Sequence, residues 1–244
     1  MIIWNKIRFK NSARIDYIQD ILSQKLITVP AAPAFIENIN NEYYWNALRT
    51  ADFNVIDSSL FAILCRLKGY QIHKYSGYQL IKETLLYLKQ NKLRVLLVNP
   101  NQLSNNINKN YILENTILNN EDIICYIAPF YSKNGKINDY DLLHLVELKK
   151  PALIIINIAG GKQELLGAFL KQNLTFHSTI LCTGAAISFF TGEQAPIPNW
   201  VDRMHLGWFA RILFNPKIYL KRYLNAFRFI PLFYKYPIEE RGEL

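Results

Sequence analysis

The stretch that decides the fold is Pro151–Gly167, which reads P-A-L-I-I-I-N-I-A-G-G-K-Q-E-L-L-G. Residues 153–158 are apolar except for Asn157, a pattern typical of a β-strand that is buried on both faces. A turn of small residues follows at 159–161, and a helix begins at Lys162. Backbone N–H groups and the positive end of the helix dipole meet at such a turn, which suits it to bind an anion. Glycine also serves ordinary tight turns, so the stretch alone leaves both interpretations open.

The same alternation of strand and helix extends over residues 26–190. Strands are expected at 26–29, 52–56, 93–98, 123–127, 151–158 and 178–182. Helices are expected at 13–26, 34–50, 60–67, 80–88, 107–118, 138–148 and 163–171, with an asparagine-rich loop at 99–110. These spacings suit right-handed crossovers between parallel strands. The sequence therefore predicts an α/β fold with a doubly wound, mainly parallel sheet.

The composition changes after Gly192, where a connector punctuated by prolines begins. We therefore predict an α/β domain at 1–195 and a helical appendage at 196–244. The net charge is +9, and residues 202–235 carry seven basic residues against one acidic residue, Asp202. Aromatic residues alternate with these cations. This combination is typical of a helix at a membrane interface that meets lipid phosphate.

Other partners for the basic segment are possible. Helices that pack on the sheet with a solvated basic face would give a similar pattern. A nucleic-acid partner is not expected, because the chain contains no recognised nucleic-acid-binding module. The three cysteines lie far apart, without a CxxC pair, so we expect no structural metal site. With no secretion signal and no long apolar segment evident, we expect a cytoplasmic protein.

Asp57 is the first candidate for chemistry. It follows the strand predicted at 52–56 and precedes a helix, so Asp57-Ser58-Ser59 could simply cap that helix. Ligands of open α/β sheets bind outside the carboxyl ends of the strands, however, and there Asp57 would face the ligand.

Three motifs resemble the WecG/TagA/CpsF family of bacterial glycosyltransferases, which is glycosyltransferase family 26. They are G-G-K-Q-E at 160–164, C-T-G-A-A-I-S-F-F-T-G at 182–192, and I-P-N-W-V-D-R-M-H-L-G-W-F-A-R-I-L-F-N-P-K at 197–217 followed by Arg222-Tyr223. The resemblance spans residues 26–235. It implies a Rossmann-like domain of the GT-E type with a C-terminal appendage. It also implies sugar transfer from a UDP-sugar to a polyprenyl-diphosphate-linked saccharide, without a metal or other cofactor, at the inner membrane face.

The resemblance also assigns roles to individual residues. Asp57 matches the proposed general base, for which a carboxylate is chemically suited. The positions expected to bind substrate are Ala31, Ser58, Lys74, Ser76, Gly77, Gly160, Gly161, Gln163, Glu164 and Gly184. The positions expected to meet the acceptor diphosphate or the membrane are Arg203, Arg211, Arg222 and Arg228, since the arginine fork donates to two phosphate oxygens at once.

The chain departs from the family pattern in the loop at 29–33. The usual T-P-N-P is V-P-A-A-P here, so two polar side chains that contact the donor in typical members are absent. A non-catalytic nucleotide-binding or scaffold subunit that partners another glycosyltransferase is therefore an alternative, and a homo-oligomer is also possible. A nucleotide-dependent oxidoreductase is disfavoured, because the glycine turn lacks G-x-G-x-x-G.

Overall fold

The computed structural model describes residues 1–11, 23–132, 135–194 and 207–242. Within them, nine strands form one sheet in the order β6-β5-β7-β8-β3-β4-β2-β1-β9. The strands are β1 (Ile2–Trp4), β2 (Ile7–Lys10), β3 (Leu26–Thr28), β4 (Phe53–Val55), β5 (Val95–Asn99), β6 (Ile123–Ile127), β7 (Leu153–Ile156), β8 (Thr179–Cys182) and β9 (Ile238–Glu240). The seven strands from β6 to β2 are parallel, and β1 pairs antiparallel with β2 and β9. The predicted mainly parallel sheet is thus confirmed.

Helices cover both faces of this sheet. They are α1 (Ala32–Glu37), α2 (Glu42–Thr50), α3 (Ser59–Leu67), α4 (Gly77–Leu88), α5 (Gln102–Asn115), α6 (Tyr140–Lys149), α7 (Gln163–Asn173), α8 (Ser188–Thr191), α9 (Gly207–Phe214), α10 (Pro216–Ala226) and α11 (Phe229–Lys235), with a 3₁₀ turn at Gly184–Ala186. Buried residues of α4 and α5 share one core with the sheet, and those of α2, α6 and α7 share the core on the other face. Of the helices in the described ranges, none combines the length and the apolar composition needed to cross a bilayer.

Asparagine side chains account for two differences from the expected helices. Helix α5 begins in the predicted loop because Asn101 caps it, accepting from the Ser104 N–H at 2.9 Å. The helix expected at 34–50 is two helices, because Asn41 caps α2 and accepts from the Tyr44 N–H. Of the helix expected at 13–26, residues 13–22 lie outside the described residues; residues 23–25 are not helical, and Leu26 begins β3.

The three strands at one edge of the sheet, β2, β1 and β9, share a core with Trp4, whose side chain is fully buried. Its indole N–H donates to the carbonyl of Phe233, 229 residues away, at 3.0 Å. Its ring also lies 5.4–6.2 Å, between centroids, from six aromatic rings of α1, α2, α3, α11 and the residue that follows α11: Phe35, Trp45, Phe61, Phe229, Phe233 and Tyr236. Trp4 therefore joins the amino-terminal hairpin to the carboxy-terminal helix.

The predicted domain boundary at 195/196 lies outside the described residues and stays a prediction. Residues 229–240 nevertheless share a core and a sheet with the first part of the chain. Phe229 and Phe233 are fully buried beside Trp4, and β9 extends the sheet next to β1. Residues 229–240 are therefore an integral part of the α/β domain.

We expect Trp4→Phe to lower the free energy of unfolding by about 1–3 kcal/mol, because the Phe233 carbonyl loses its donor in a buried site. Trp4→Ala should cost about 3–5 kcal/mol, because it also leaves a cavity. Urea unfolding followed by circular dichroism measures both. Leu103→Ala at an exposed position of α5 is the control, and equal stability of all three variants would contradict the role of Trp4.

Candidate active site

A cleft of about 530 Å³ opens at the carboxyl ends of β3, β4, β7 and β8. These strands are parallel, so their following loops meet at one edge of the sheet. The loops at 29–34, 57–60, 158–164 and 183–186 form its base, and α9 and α10 form its far wall. The cleft therefore lies where ligands of doubly wound folds bind.

Most of the residues that the sequence singled out line this cleft. They are Asp57, Ala31, Ser58, Lys74, Ser76, Gly77, Gly160, Gln163, Glu164, Gly184, Arg211 and Arg222. Gly161 is not part of the lining. Neither is Arg228, whose side chain is exposed where α11 begins. Arg203 lies outside the described residues.

Asp57 lies just beyond the end of β4, with its side chain partly exposed in the cleft. Its Oδ1 accepts from the N–H of Gly77, at the start of α4, at 3.4 Å. Helix α3 is instead capped by Ser58, which accepts from the Phe61 N–H at 3.2 Å. Because Ser58 provides the cap, the Asp57 carboxylate is left facing the cleft.

The start of α4 is built to approach the cleft closely. Ser76 and Gln79 form a capping box, in which each side chain accepts from the backbone N–H of the other residue. The start of α4 packs against two cleft loops, since a Cβ added at Gly77 would be in van der Waals contact with Val29 at 3.4 Å and Ala186 at 3.5 Å. Lys74, just before this cap, adds a cation to the same wall.

The N–H groups of the glycine turn after β7 donate to acceptors in the turn itself and in the helix that follows it. Gly161 adopts a left-handed conformation with φ of 87°, and its N–H donates to Glu164 Oε2 at 2.7 Å. The N–H groups of Lys162 and Gln163 donate to the carbonyl of Ala159 at 3.1 and 3.3 Å. These donors are therefore engaged by the turn itself, which favours the tight-turn interpretation over an anion site at these N–H groups.

Gln163 and Glu164 connect this turn to the turn after β8. The Gln163 Oε1 accepts from the N–H of Gly184, and the Gln163 Nε2 donates to Glu164 Oε1 at 3.1 Å. Gln163 is only 4% exposed and Glu164 is fully buried. Both residues therefore act mainly as a connection between two loops of the cleft.

Burial raises the pKa of Glu164 to about 7, although the hydrogen bonds from its own N–H, from Gly161 and from Gln163 oppose this shift. Two other buried groups lie close enough to sense its charge. The pKa values of Tyr44 and Cys182 are raised, mainly by burial and to a smaller extent by the negative charge of Glu164. The Cys182 thiol donates to the Gln163 carbonyl at 3.2 Å.

Two arginines form the far wall of the cleft. The Arg211 guanidinium lies 4.7 Å above the centroid of the Phe189 ring, a cation–π geometry. The Arg222 Nε donates to Glu37 Oε1 at 3.1 Å, which links α10 to α1. With Lys74, they give the cleft three cationic side chains.

Residues 6–243 match the sequence model of the glycosyl transferase WecG/TagA/CpsF family. The chain belongs to this family. The N-acetylglucosaminyldiphosphoundecaprenol N-acetyl-beta-D-mannosaminyltransferase of Bacillus subtilis (strain 168) is 23% identical over 218 residues, which are 83% of this chain and 78% of the relative. The resemblance stated from the motifs is thereby confirmed.

The glycosyltransferase cleft also contains residues that the sequence analysis did not select. They are Val29, Tyr78, Thr183, Phe189, Gln194, Tyr219, Tyr223 and Phe227. The hydroxyl of Thr183 is buried and has no hydrogen-bond partner in the part of the chain that the structure describes. Thr183 and Phe189 belong to the family motif at 182–192, and that motif is the sequence signal that could have identified them. Among the aromatic residues of α10, Tyr223 belongs to the family motif and Tyr219 to the aromatic and basic pattern, which the sequence analysis assigned to a membrane interface.

Among residues 1–11, 23–132, 135–194 and 207–242, no three His, Cys, Asp or Glu side chains are grouped so that they could hold a metal ion. The acidic residues that line the cleft are Asp57 and the buried Glu164.

The stability of this glycosyltransferase should depend on pH through Glu164. Its pKa is raised from 4.5 to about 7 on folding, so its contribution is fully present below pH 4.5 and is lost as the pH rises through 7. Compared with Glu164→Gln, the wild type should lose roughly 2–3 kcal/mol of unfolding free energy between pH 5 and 8.

Urea titrations of the two proteins at both pH values measure this difference. Glu114→Gln, at an exposed position of α5, is the control and should follow the wild type. Parallel pH profiles for the wild type and Glu164→Gln would contradict the buried acid.

Proposed function

We propose that this protein is an inverting, metal-independent glycosyltransferase that moves a sugar from a UDP-sugar to a polyprenyl-diphosphate-linked saccharide. It would act in the synthesis of a bacterial surface polysaccharide or cell-wall polymer. The observation that carries the proposal is a cleft in which a carboxylate, Asp57, and three cations, Lys74, Arg211 and Arg222, line the same space. The acceptor class follows from the name of the Bacillus subtilis relative.

Asp57 would act as the general base. Its carboxylate would take the proton of the acceptor hydroxyl as that oxygen attacks the anomeric carbon of the donor. The C–O bond to the UDP diphosphate breaks in the same displacement. One carboxylate suffices for an inverting displacement, and Glu164, the other acidic residue of the lining, is buried and accepts from three N–H groups.

The cationic side chains would stabilise the diphosphate charge that develops as UDP leaves. Arg211 and Arg222 approach from the helices opposite the sheet, and Lys74 approaches from the loop before α4. Such preorganised charges act where negative charge grows, which is the role that a bound metal plays in other transferases. We therefore expect no metal requirement.

The loop at 29–34 gives the donor side of the cleft an apolar wall. Val29, Ala31, Ala32, Pro33 and Ala34 all line the cleft there. This wall offers no side-chain hydrogen bond to a sugar, so recognition would depend on shape and on the polar groups opposite.

The outer surface of α9 and α10 suits contact with a membrane. It exposes apolar side chains beside Lys217, Lys221 and the nearby Arg228. The apolar side chains are Phe209, Leu213, Phe214, Leu220, Leu224 and Phe227. Apolar side chains that enter the acyl boundary beside cations that meet lipid phosphate are the features of a peripheral membrane surface. We propose that the protein binds the inner face of the cell membrane there.

Asp57→Asn should bind UDP as tightly as the wild type, with or without magnesium, and yet lose transfer activity by about 10²- to 10⁴-fold. Asparagine keeps an oxygen for the Gly77 N–H but cannot accept the proton. Calorimetry with UDP measures binding, and release of UDP from a panel of UDP-sugars with a polyprenyl-diphosphate-linked N-acetylglucosamine acceptor measures transfer.

Asp141→Asn, at an exposed position of α6, is the matched control and should transfer normally. Normal transfer by Asp57→Asn would overturn the role of the base. UDP binding by the wild type without transfer of any donor would support the scaffold alternative. Absence of UDP binding would overturn the proposed function.

Replacing Lys217, Lys221 and Arg228 together by glutamine should weaken binding to anionic vesicles roughly hundredfold, since each cation contributes about 1 kcal/mol near such a surface. Co-sedimentation with phosphatidylglycerol vesicles measures this. The triple replacement of Lys82, Lys89 and Lys149 removes the same charge from exposed positions elsewhere and is the control. Equal loss in both variants would contradict a specific docking surface.

A further inference from the structure

Four groups form one continuous line of hydrogen bonds beneath the cleft. The N–H of Gly184 donates to Gln163 Oε1, Gln163 Nε2 donates to Glu164 Oε1 at 3.1 Å, and Glu164 Oε2 accepts from the N–H of Gly161 at 2.7 Å. The line joins the turn after β7 to the turn after β8. It thus spans the two neighbouring loops that carry Gly160 and Gly184 into the cleft.

The chemistry of the two ends determines the direction of every bond. A backbone N–H can only donate, and an ionised carboxylate can only accept. The Gln163 amide lies between such a donor and such an acceptor, so only one of its two orientations makes both bonds. Glu164 selects that orientation, and the oriented amide in turn holds the Gly184 turn.

We propose that Glu164 is a positioning residue, which fixes the amide of Gln163 and through it the Gly184 turn of the donor site, without touching the substrate. That the Gly184 turn belongs to a donor site rests on the proposed function. The orientation itself depends only on the contacts within the protein. It replaces the direct substrate contact that the sequence resemblance gave to Glu164.

Burial of Glu164 agrees with this role. Glu164 borders the cleft together with Gln163 and Gly184, but its side chain is fully buried. Gly184 adopts a left-handed conformation with φ of 58°, and an added Cβ would lie 3.5 Å from Gln163 Nε2. The turn therefore packs directly on the amide whose orientation Glu164 controls.

A neutral amide at position 164 cannot take over this role. If its oxygen accepts from Gly161, its NH₂ group faces the NH₂ group of Gln163. If Gln163 then turns over, its NH₂ group faces the N–H of Gly184. If the new amide turns instead, its NH₂ group faces the N–H of Gly161. Every arrangement of Glu164→Gln thus places two donors against each other at one point of the line.

A double variant in which these two side chains exchange places, called the exchanged pair, again gives every donor an acceptor. In the double variant Gln163→Glu with Glu164→Gln, the new carboxylate accepts from Gly184 and from the NH₂ group of the new amide. The oxygen of that amide accepts from Gly161. The same two side chains are present in exchanged order, so composition and net charge equal those of the wild type.

The experiment measures hydrogen exchange of the Gly184 amide at pH 8, where Glu164 is ionised, together with the affinity for UDP. In Glu164→Gln we expect Gly184 to exchange about tenfold or more faster and UDP to bind about tenfold more weakly, as one hydrogen bond to a charged group is lost. The exchanged pair should return Gly184 to wild-type exchange. Unchanged exchange of the β7 amides verifies the fold in each variant.

The outcomes separate the two proposals. Wild-type exchange of Gly184 in Glu164→Gln, or fast exchange in the exchanged pair, would overturn the role of Glu164 in orientation. Faster exchange with unchanged UDP affinity would overturn the link to the donor site. If the wild type binds no UDP, the proposed function fails, and the Gly184 exchange still decides whether Glu164 orients Gln163. If Glu164→Gln does not fold, the folded exchanged pair and Gln163→Ala, in which Gly184 loses its acceptor, give the comparison.

Discussion

The cleft depends on the burial of Trp4. The base of the cleft comes from the parallel sheet, but its cationic wall comes from α9 and α10, which the sheet does not contain. After these helices, α11 returns the chain to the sheet. The indole N–H of Trp4 and stacked and edge-on aromatic rings hold α11 in place. Aromatic pairs of this kind add about 0.5–1.5 kcal/mol each beyond simple burial. The position of Arg211 and Arg222 relative to Asp57 is therefore secured from the far edge of the sheet.

The glycine turn after β7 shows how one local pattern can serve two purposes. Free N–H groups at a helix start attract an anion, and the sequence left that open. Here the Glu164 carboxyl accepts from the Gly161 N–H, and the Ala159 carbonyl accepts from the next two N–H groups, so acceptors within the chain occupy donors that a phosphate would use. The substrate charge is then left to side chains that reach in from outside the sheet. The groups that shape the base of the cleft are therefore different from the side chains that would bind the charge of the substrate.

The sequence predicted the parallel sheet and most of the lining of the cleft, because buried strands and glycine turns leave a local pattern. It did not predict β1, β2 and β9, since these strands lie outside the alternation of strands and helices at 26–190 and are only partly buried. The helix expected at 107–118 begins earlier, at Gln102, and its start was taken for a loop because the buried side chains there are asparagines: Asn105 and Asn108 are buried and bonded to Asn99. The link between Gln163 and Gly184 joins loops 21 residues apart and depends on side-chain geometry that spacing does not reveal.

Pairing of β9 with β1 has a consequence for the order of folding. Contacts between residues so far apart in sequence form late, because closing a long loop costs entropy before the contact repays it. Strands β3 to β8 all lie within residues 26–182, whereas Trp4 donates to the carbonyl of Phe233. We therefore expect the loops at the base of the cleft to become ordered before α9 and α10 are held against them. The arginines of the far wall would then be the last of the lining side chains to reach their positions.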